Sequence, residues 1–360
     1  MKKALAVLLA LAMVFCFAAC GKKDEGKQEE TYEIAFVTDV GQLMDGSFNQ
    51  GTWEGVSEYA EANGKTYKYY QPANGSEATD DDRYAAMKAA VDNGAKIVVC
   101  AGYLQDAALE KIAAEATDVA FVFIDGWPTG LSNIAGIAFK EEQCGYLAGY
   151  PVVKEGYTKL GFSGGGGGDN PACCRYGYGF VQGANDAAKE LGKTVDVNYT
   201  WQYGATFSPS TELKTMMDGW YSNGTEIVFA CGGKISDSIF QAAEENGGKG
   251  VGVDVDQSGQ YPGVVITSAL KGLSSATEWA LQKYYDGKFA EIANVGVSLG
   301  AAEGSVGLPT ETWQLQNWSV AEYETLLGQI VDGTVAVDNA QLTGDAISSV
   351  EFSNTTVNYQ

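Results

Sequence analysis

The sequence predicts an α/β protein with two lobes, each built on a mostly parallel, doubly wound sheet. The first observation is a regular alternation of short β-prone runs with longer segments of helical periodicity along the 360 residues. The second is the composition of the β-prone runs, which are almost continuously apolar, as expected for strands covered by helices on both faces. Parallel strands need a crossover connection, usually a helix, so this alternation favours parallel sheets.

The elements follow one another in a regular order. Strands are predicted at 33–38, 96–100, 119–124, 160–163, 195–201, 226–230, 250–253 and 264–267. Apolar residues recur with helical spacing between them, which predicts helices at 49–63, 80–93, 106–117, 141–154, 177–191, 210–222, 236–246 and 270–286. Several helices end in Asn-Gly, for example at Asn63-Gly64 and Asn223-Gly224, which suits the left-handed backbone of a helix cap.

Alternation alone also fits a β/α barrel or a single wide sheet. Five consecutive glycines at 164–168 interrupt it near the middle of the chain, and we interpret them as a mobile loop that opens a second lobe. No Gly-Lys-Ser/Thr follows these glycines, which argues against a phosphate-binding loop. Residues 295–360 break the rhythm, with an amphipathic helix near 319–331 and polar, β-prone sequence after it, so we assign them to the second lobe.

The composition excludes several classes of function. The chain has 23 basic and 46 acidic residues, a net charge of −23, which disfavours binding to nucleic acid or to anionic lipid. It contains no histidine, which removes Ser-His and Cys-His catalysis and every His-ligated metal site. The cysteines show no Cys-X-X-Cys or similar metal spacing. We therefore expect no cofactor and no metal.

The first 19 residues have the form of a secretory signal. Lys2 and Lys3 precede an apolar run at 4–19, which is shorter than the ~20 apolar residues of a membrane-spanning helix. The sequence Phe-Ala-Ala-Cys at 17–20 resembles the lipobox of bacterial lipoproteins, in which the cysteine, here Cys20, is lipidated. Residues 20–31 are polar and charged and predict a flexible tether. We expect the protein on the extracytoplasmic face of the cell membrane, held by lipid alone.

Some polar residues and cysteines have structural interpretations. Ser47 or Asp45 can cap the helix predicted at 49–63, and the acidic run 80–82 suits the positive end of the next helix better than a metal. Cys173 and Cys174 are adjacent in a predicted loop, where they cannot bridge each other without strain. We predict no cysteine chemistry.

Residues at the carboxyl ends of the strands are candidates for binding, because ligands of open parallel sheets bind there. Phe48 follows the first strand, and it is either a flat platform for a planar ligand or a packing residue of the first helical turn. Asp125 follows the third strand and can accept hydrogen bonds from a ligand or cap a turn. Gly233 permits close backbone approach. Asp254 and Lys271 follow the last two strands, where an acceptor beside a donor suits a vicinal diol.

Three motifs in this order resemble the basic membrane protein (BMP) family of ABC transporter substrate-binding lipoproteins, which are similar to the treponemal purine nucleoside receptor. They are TDVGQLMDGSFNQGTWEG at 38–55, GVDVDQ at 252–257 and TSALK at 267–271. The resemblance implies a type I periplasmic-binding-protein fold, with two α/β lobes joined by a hinge that closes on a ligand. It places residues 32–154 plus about 268–290 in the N-terminal lobe and residues 155–267 plus about 291–360 in the C-terminal lobe.

The resemblance also implies how a nucleoside is held. Phe48 stacks on the base, and a second aromatic stacks from the opposite lobe, with Phe207 as the first candidate and Phe180 or Trp201 as rivals. The acid at Asp125 contacts the edge of the base. The ribose hydroxyls are held by Asp254, or Asp256 if the pattern slips by two, together with Lys271, while the cleft is further lined by Asp39, Asn49 and Gly233.

The expected function is therefore that of a receptor and not of an enzyme. It binds a nucleoside, with purines favoured, and delivers it to ABC permease and ATPase subunits as a monomer that does not bind nucleic acid. Three alternatives remain open: a receptor for a sugar or other small solute on the same fold, a nucleoside hydrolase or phosphorylase that uses carboxylates alone, and a surface receptor without a transporter.

Overall fold

The computed structural model describes residues 31–40 and 42–360. The signal peptide, Cys20 and all of the tether except Thr31 lie outside the described residues. Within them, two separate sheets are present, as the alternation of strands and helices predicts. The described residues contain no helix that is both long and apolar enough to span a membrane.

The first sheet consists of six strands, and all its neighbouring strands are parallel. They are β1 (Ile34–Val37), β2 (Tyr67–Tyr70), β3 (Ile97–Ala101), β4 (Ala120–Ile124), β5 (Ile134–Phe139) and β11 (Val297–Leu299). Their spatial order is β11-β5-β4-β3-β1-β2.

The second sheet consists of seven strands. They are β6 (Lys159–Gly164), β7 (Val195–Thr200), β8 (Ile227–Cys231), β9 (Lys249–Asp254), β10 (Val265–Lys271), β12 (Val306–Gly307) and β13 (Thr355–Tyr359). Their spatial order is β12-β10-β9-β8-β6-β7-β13, and only the short pair of β10 and β12 is antiparallel.

Nine helices are described, and they cover both faces of each sheet. They are α1 (Phe48–Ala62), α2 (Asp80–Asp92), α3 (Asp106–Glu115), α4 (Glu141–Glu155), α5 (Pro171–Leu191), α6 (Thr211–Ser222), α7 (Ile235–Asn246), α8 (Leu273–Tyr285) and α9 (Val320–Val331). In β1, Ile34 and Phe36 face α1 and α8, whereas Ala35 and Val37 face α2 and α3. The second sheet packs against α4, α5 and α9 on one face and against α6 and α7 on the other. This two-sided burial explains the continuous apolar runs.

The chain crosses between the sheets three times. It leaves the first sheet after Phe139, returns after Lys271 to form α8, and leaves again after Leu299. The lobe boundaries implied by the resemblance lie at 154, 267 and about 290, some distance along the chain from these crossings. Helical periodicity predicted α4, but it does not tell which sheet a helix packs on.

Glycines explain why α4 belongs with the second sheet. A Cβ at Gly145 of α4 would lie 2.1 Å from the carbonyl oxygen of Tyr176, and a Cβ at Gly179 of α5 would lie 2.0 Å from that of Glu142. The two helices therefore approach more closely than any residue with a side chain allows.

Several elements differ from the expectation. Strand β2 was missed because it is a half-exposed edge strand of sequence YKYY, and β5 because residues 125–133 join it to β4 without a helix. Helix α5 begins at Pro171, so Cys173 and Cys174 lie in its first turn rather than in a loop. The described tail also adds β11, β12 and β13 to the sheets.

Candidate functional site

A cavity of about 300 Å³ lies between the carboxyl ends of the two sheets. That volume is within the range of small-molecule sites. Residues that follow β1, β3 and β4 line it from the first sheet, and the ends of β8, β9 and β10 line it from the second. The structure brings all eight residues predicted from the sequence to this cavity: Asp39, Phe48, Asn49, Asp125, Phe207, Gly233, Asp254 and Lys271.

Asp45, and not Ser47, caps the helix that carries Phe48. The Asp45 carboxylate accepts hydrogen bonds from the backbone N–H groups of Ser47 at 2.9 Å, Asn49 at 3.0 Å and Gln50 at 3.0 Å. The hydroxyl of Ser47 instead donates to Oδ2 of Asp254 at 2.6 Å. This hydrogen bond links the start of α1 to the end of β9 in the other sheet.

Of the three candidates for the second aromatic, Phe207 is the one that lines the cavity. Phe180 is fully buried and packs against Phe229, with their ring centroids 5.3 Å apart. Trp201 is also buried, and its indole N–H donates to the carbonyl oxygen of Gly344 at 2.8 Å.

The run of glycines makes room for Phe207. A Cβ at Gly165 would lie 2.3 Å from the Phe207 ring. Phe207 itself has a left-handed backbone, with φ of 56°, which is a strained conformation for an aromatic residue. The glycines that were interpreted as a loop therefore pack against a residue of the cavity wall.

Lys271 is at the centre of a buried group of charges, which we name the Lys271 cluster: Lys271, Asp125, Glu141, Asp254 and Arg175. The ammonium of Lys271 lies 2.6 Å from Oδ1 of Asp125 and 3.1 Å from Oε1 of Glu141. Burial by itself lowers the pKa of Lys271, but the charges of these two carboxylates and of Asp254 outweigh it and raise the pKa above its usual value. Lys271 is therefore charged at neutral pH.

The backbone at Asp125 and Asp254 is also unusual. Both residues adopt left-handed conformations, with φ of 57° and 67°. Such strain persists where the surrounding structure fixes it, often at binding sites. Asp256, the alternative to Asp254, does not line the cavity, and its Oδ2 accepts a hydrogen bond from the hydroxyl of Thr312 at 2.6 Å.

A second group of buried polar residues follows β1, and we name it the Asp39 cluster: Asp39, Asp45 and Asn49. The amide of Asn49 donates to both carboxylates at 3.1 Å, and the backbone N–H of Val40 also donates to Asp39. Among the described residues, neither carboxylate forms an ion pair. Burial raises the pKa of Asp39 to about 6, and the hydrogen bonds from Val40 and Asn49 offset only part of this effect.

Comparison with known proteins identifies the family. A model of the family described as "ABC transporter substrate-binding protein PnrA-like" (Bmp) matches residues 33–341. The chain belongs to this family. The resemblance noted in the sequence is therefore confirmed, and the protein is an ABC transporter substrate-binding protein, a receptor rather than an enzyme.

The chain is similar to two named relatives over most of its length. One is the "ABC transporter nucleoside-binding protein BmpA" of Lactococcus lactis subsp. cremoris, which is 28% identical over 93% of this chain and 99% of the relative. The other is "Basic membrane protein B" of Borreliella burgdorferi, 26% identical over 84% and 87%. A solved solute-binding protein of an ABC transporter system from Aeropyrum pernix covers 86% of this chain and 93% of its own, with a TM-score of 0.72 and 22% identity. This likeness confirms the predicted fold class.

Other residues of this substrate-binding protein line the cavity without having been predicted. Asn170, Cys173 and Tyr176 come from the start of α5, a segment predicted as a loop, and Tyr103 follows β3. Reading the end of the second predicted strand as closely as the others would have found Tyr103. Glu141, which lies behind Lys271 and does not line the cavity, had no such signal, because Lys271 is 130 residues away in the chain.

The cysteines and acidic residues provide no further site. The five described cysteines are buried and free, and burial raises the pKa of the Cys100 thiol well above its usual value. Helix α2 begins at Asp80, with Thr79 and Asp82 forming a capping box, as its sequence suggested. Across residues 31–40 and 42–360, no cluster of His, Cys, Asp or Glu is suited to a metal.

Proposed function

We propose that this substrate-binding protein binds a nucleoside, with a purine base preferred, and presents it to the permease of an ABC importer. The observation that carries the proposal is one cavity lined by an aromatic side chain from each side, Phe48 and Phe207, and by the acceptor and donor pair of Asp254 and Lys271. The Lactococcus relative, whose name states that it binds nucleosides, supports the same ligand class.

Each part of a nucleoside has a matching chemistry in the cavity. The rings of Phe48 and Phe207 offer stacking surfaces, which contribute ~1–3 kcal/mol per stacked base in other proteins. An Asp254 carboxylate accepts hydrogen bonds from ribose hydroxyls, and the Lys271 ammonium donates to them. We assign the polar edge of the base to Asp39, Asn49 and Asp125, which lie at strand ends of the first sheet.

The charges at the cavity favour a nucleoside over a nucleotide. Five aspartates line the cavity against two lysines: Asp39, Asp45, Asp125, Asp237 and Asp254, against Lys234 and Lys271. The ammonium of Lys271 is already engaged by two carboxylates. A phosphate would add negative charge to this surface without a free cationic partner at Lys271, and the net charge of −23 opposes its approach as well.

We further propose that Cys20 is lipidated and that residues 20–31 tether a monomeric receptor to the extracytoplasmic face of the membrane. The signal-like residues 1–19 and the lipobox support this assignment. Labelled fatty acid should be incorporated into the wild-type chain but not into Cys20→Ser. Equal labelling of the two would contradict the assignment.

Binding is expected to close the hinge. A ligand that contacts residues of both sheets stabilises the closed state in proportion to its extra contacts there, and the permease then recognises that state. The three chain crossings near Lys140, Gly272 and the segment 300–305 are the hinge segments in this proposal.

A thermal-shift panel on the purified full-length protein in mild detergent tests the ligand class. It compares adenosine, guanosine, inosine, cytidine, uridine, ribose, glucose and galactose, after denaturation and refolding to remove any bound ligand. A ligand present at 100 times its Kd adds about 2.7 kcal/mol to the free energy of unfolding and raises Tm by several degrees.

The pattern of shifts decides between the candidates. Shifts with nucleosides alone, larger for purines, support the proposal. Shifts with sugars alone support the alternative of a sugar receptor, in which Phe48 and Phe207 stack on a pyranose. A refolded protein that responds to no nucleoside contradicts the proposed function.

A further inference from the structure

We infer that Glu141 and Arg175 are positioning residues for Lys271, and that through Lys271 they make the cavity select ligands with free ribose hydroxyls. The inference rests on the proposed function, because it concerns the same cavity. Neither Glu141 nor Arg175 lines the cavity, so both act from behind the residue that does.

Glu141 bridges two cations with its two oxygens. Its Oε1 lies 3.1 Å from the ammonium of Lys271, while its Oε2 accepts a hydrogen bond from Nε of Arg175 at 2.7 Å and lies 2.7 Å from Nη2 of the same guanidinium. The Glu141 side chain is completely buried. Burying a carboxylate is costly unless it is paired, and Arg175 supplies a second cationic partner to Glu141 beside Lys271.

These contacts fix the direction of the Lys271 ammonium. A lysine carries three N–H donors on a flexible four-carbon stem, and its ammonium can otherwise rotate freely. The ammonium donates a hydrogen bond to Oδ2 of Asp125 at 2.7 Å, and Oε1 of Glu141 holds it from another side as an ion-pair partner at 3.1 Å. The hydrogen bond and the ion pair together hold the nitrogen of Lys271 in place, and a donor that is not used by Asp125 is available to a hydroxyl of the ligand.

The positions of Glu141 and Lys271 along the chain connect their contact to the hinge. Glu141 is the first residue of α4, directly after the first crossing between the sheets, and Lys271 is the last residue of β10, directly before the second. A hydroxyl that engages Lys271 therefore acts on two crossing segments at once. Ligands without that hydroxyl lose the contact as well as its effect on the hinge.

The test uses isothermal titration of the full-length protein in detergent with two probes, inosine and 2′,3′-dideoxyinosine, which differ only in the ribose hydroxyls. Wild-type protein should bind inosine more tightly. Glu141→Gln should weaken inosine about 10-fold, the lower end of the effect of a hydrogen bond to a charged group, and should change dideoxyinosine less than twofold. Arg175→Lys, which keeps the charge but loses the paired donors, should show the same signature with a smaller loss, and it carries the test if Glu141→Gln does not fold.

Glu142→Gln is the matched control. Glu142 is the next residue of α4 and is also buried, and it forms no ion pair within the described residues. It should bind both probes as the wild type does. If Glu141→Gln weakens both probes equally, or if Glu142→Gln gives the same selective loss, the positioning role is overturned although the proposed function stands. If the wild type binds neither probe nor any other nucleoside, it is the proposed function that fails.

Discussion

The Lys271 cluster and the Asp39 cluster both bury carboxylates at the same cavity, but they balance the charge differently. In the Lys271 cluster, two cations lie within hydrogen-bonding distance of the carboxylates of Asp125 and Glu141. In the Asp39 cluster, two carboxylates are held only by the amide of Asn49 and by backbone N–H groups, and among the described residues no cation pairs with them. Desolvation acts on both clusters and raises the pKa of Asp254 as well as that of Asp39.

The difference determines how the stability of the protein responds when a charge is removed from each cluster. Removing a cation from the first cluster leaves buried charges without partners, which is costly. Removing a charge from the Asp39 cluster removes a desolvation cost that the hydrogen bonds there offset only in part. The same type of substitution, from a charged residue to a neutral one of similar size, should therefore destabilise the protein at one cluster and stabilise it at the other.

The largest expected effect is that of Lys271→Met. The substitution leaves Asp125, Glu141 and Asp254 without their shared cation, and breaking such a buried pair costs about 3–5 kcal/mol. Chemical denaturation at pH 7.5 measures the loss of free energy of unfolding. The matched control is Lys283→Met, which removes the half-exposed ion pair with Glu291 and should cost no more than about 1 kcal/mol. Equal losses in the two variants would show that the Lys271 cluster has no special role in stability.

Asp39→Asn should have the opposite sign at neutral pH. The folded-state pKa of about 6 lies above the ordinary value near 3.8, so the native state binds the proton more tightly than the unfolded chain does. For the wild type, stability is then highest when Asp39 is protonated and falls as the pH rises from about 4 through 6. An asparagine at position 39 has no charge to desolvate, and its carbonyl oxygen can still accept a hydrogen bond from Asn49.

The expected gain at pH 7.5 is about 3 kcal/mol, since one pKa unit corresponds to about 1.4 kcal/mol, and the gain should vanish near pH 4. Denaturation curves at pH 4, 6 and 7.5 measure it. Asp81→Asn, at a side chain that is 96% exposed, should stay within about 0.5 kcal/mol at every pH. A gain that is independent of pH would contradict an ionised, desolvated Asp39.

Sequence reasoning predicted the elements well wherever a local pattern determines them. The strands and helices of the two sheets follow from apolar runs and helical spacing, and the rule that ligands bind at strand ends leads to Asp125, Asp254 and Lys271. Phe207 came only from the family resemblance, because no local pattern distinguishes it from Phe180 or Trp201.

What the sequence could not predict depends on contacts between distant segments. The second-sheet assignment of α4 follows from glycines that let it approach α5, and the bridge formed by Glu141 joins residues that are 34 and 130 positions apart in the chain. Neither contact leaves a periodic signal in either segment. The same holds for the balance of charge in the two clusters, which depends on which side chains meet.

Phe207→Ala should have the smallest of these effects, because Phe207 belongs to neither cluster. Its ring lines the cavity and packs against the glycines at 165 and 232, and its removal takes away one stacking surface. We expect affinity for purine nucleosides to fall by about 1–3 kcal/mol, which is roughly 5- to 150-fold. Because the stacking partner is the base, the affinities for inosine and 2′,3′-dideoxyinosine should fall by the same factor, unlike in a variant that acts through Lys271.

Titration of both probes measures these affinities, with Phe180→Leu as a core control that changes stability but not affinity. A selective loss of inosine binding in Phe207→Ala would instead mean that the aromatic contacts the sugar, and the division of the cavity into a stacking part and a hydroxyl-binding part would be wrong.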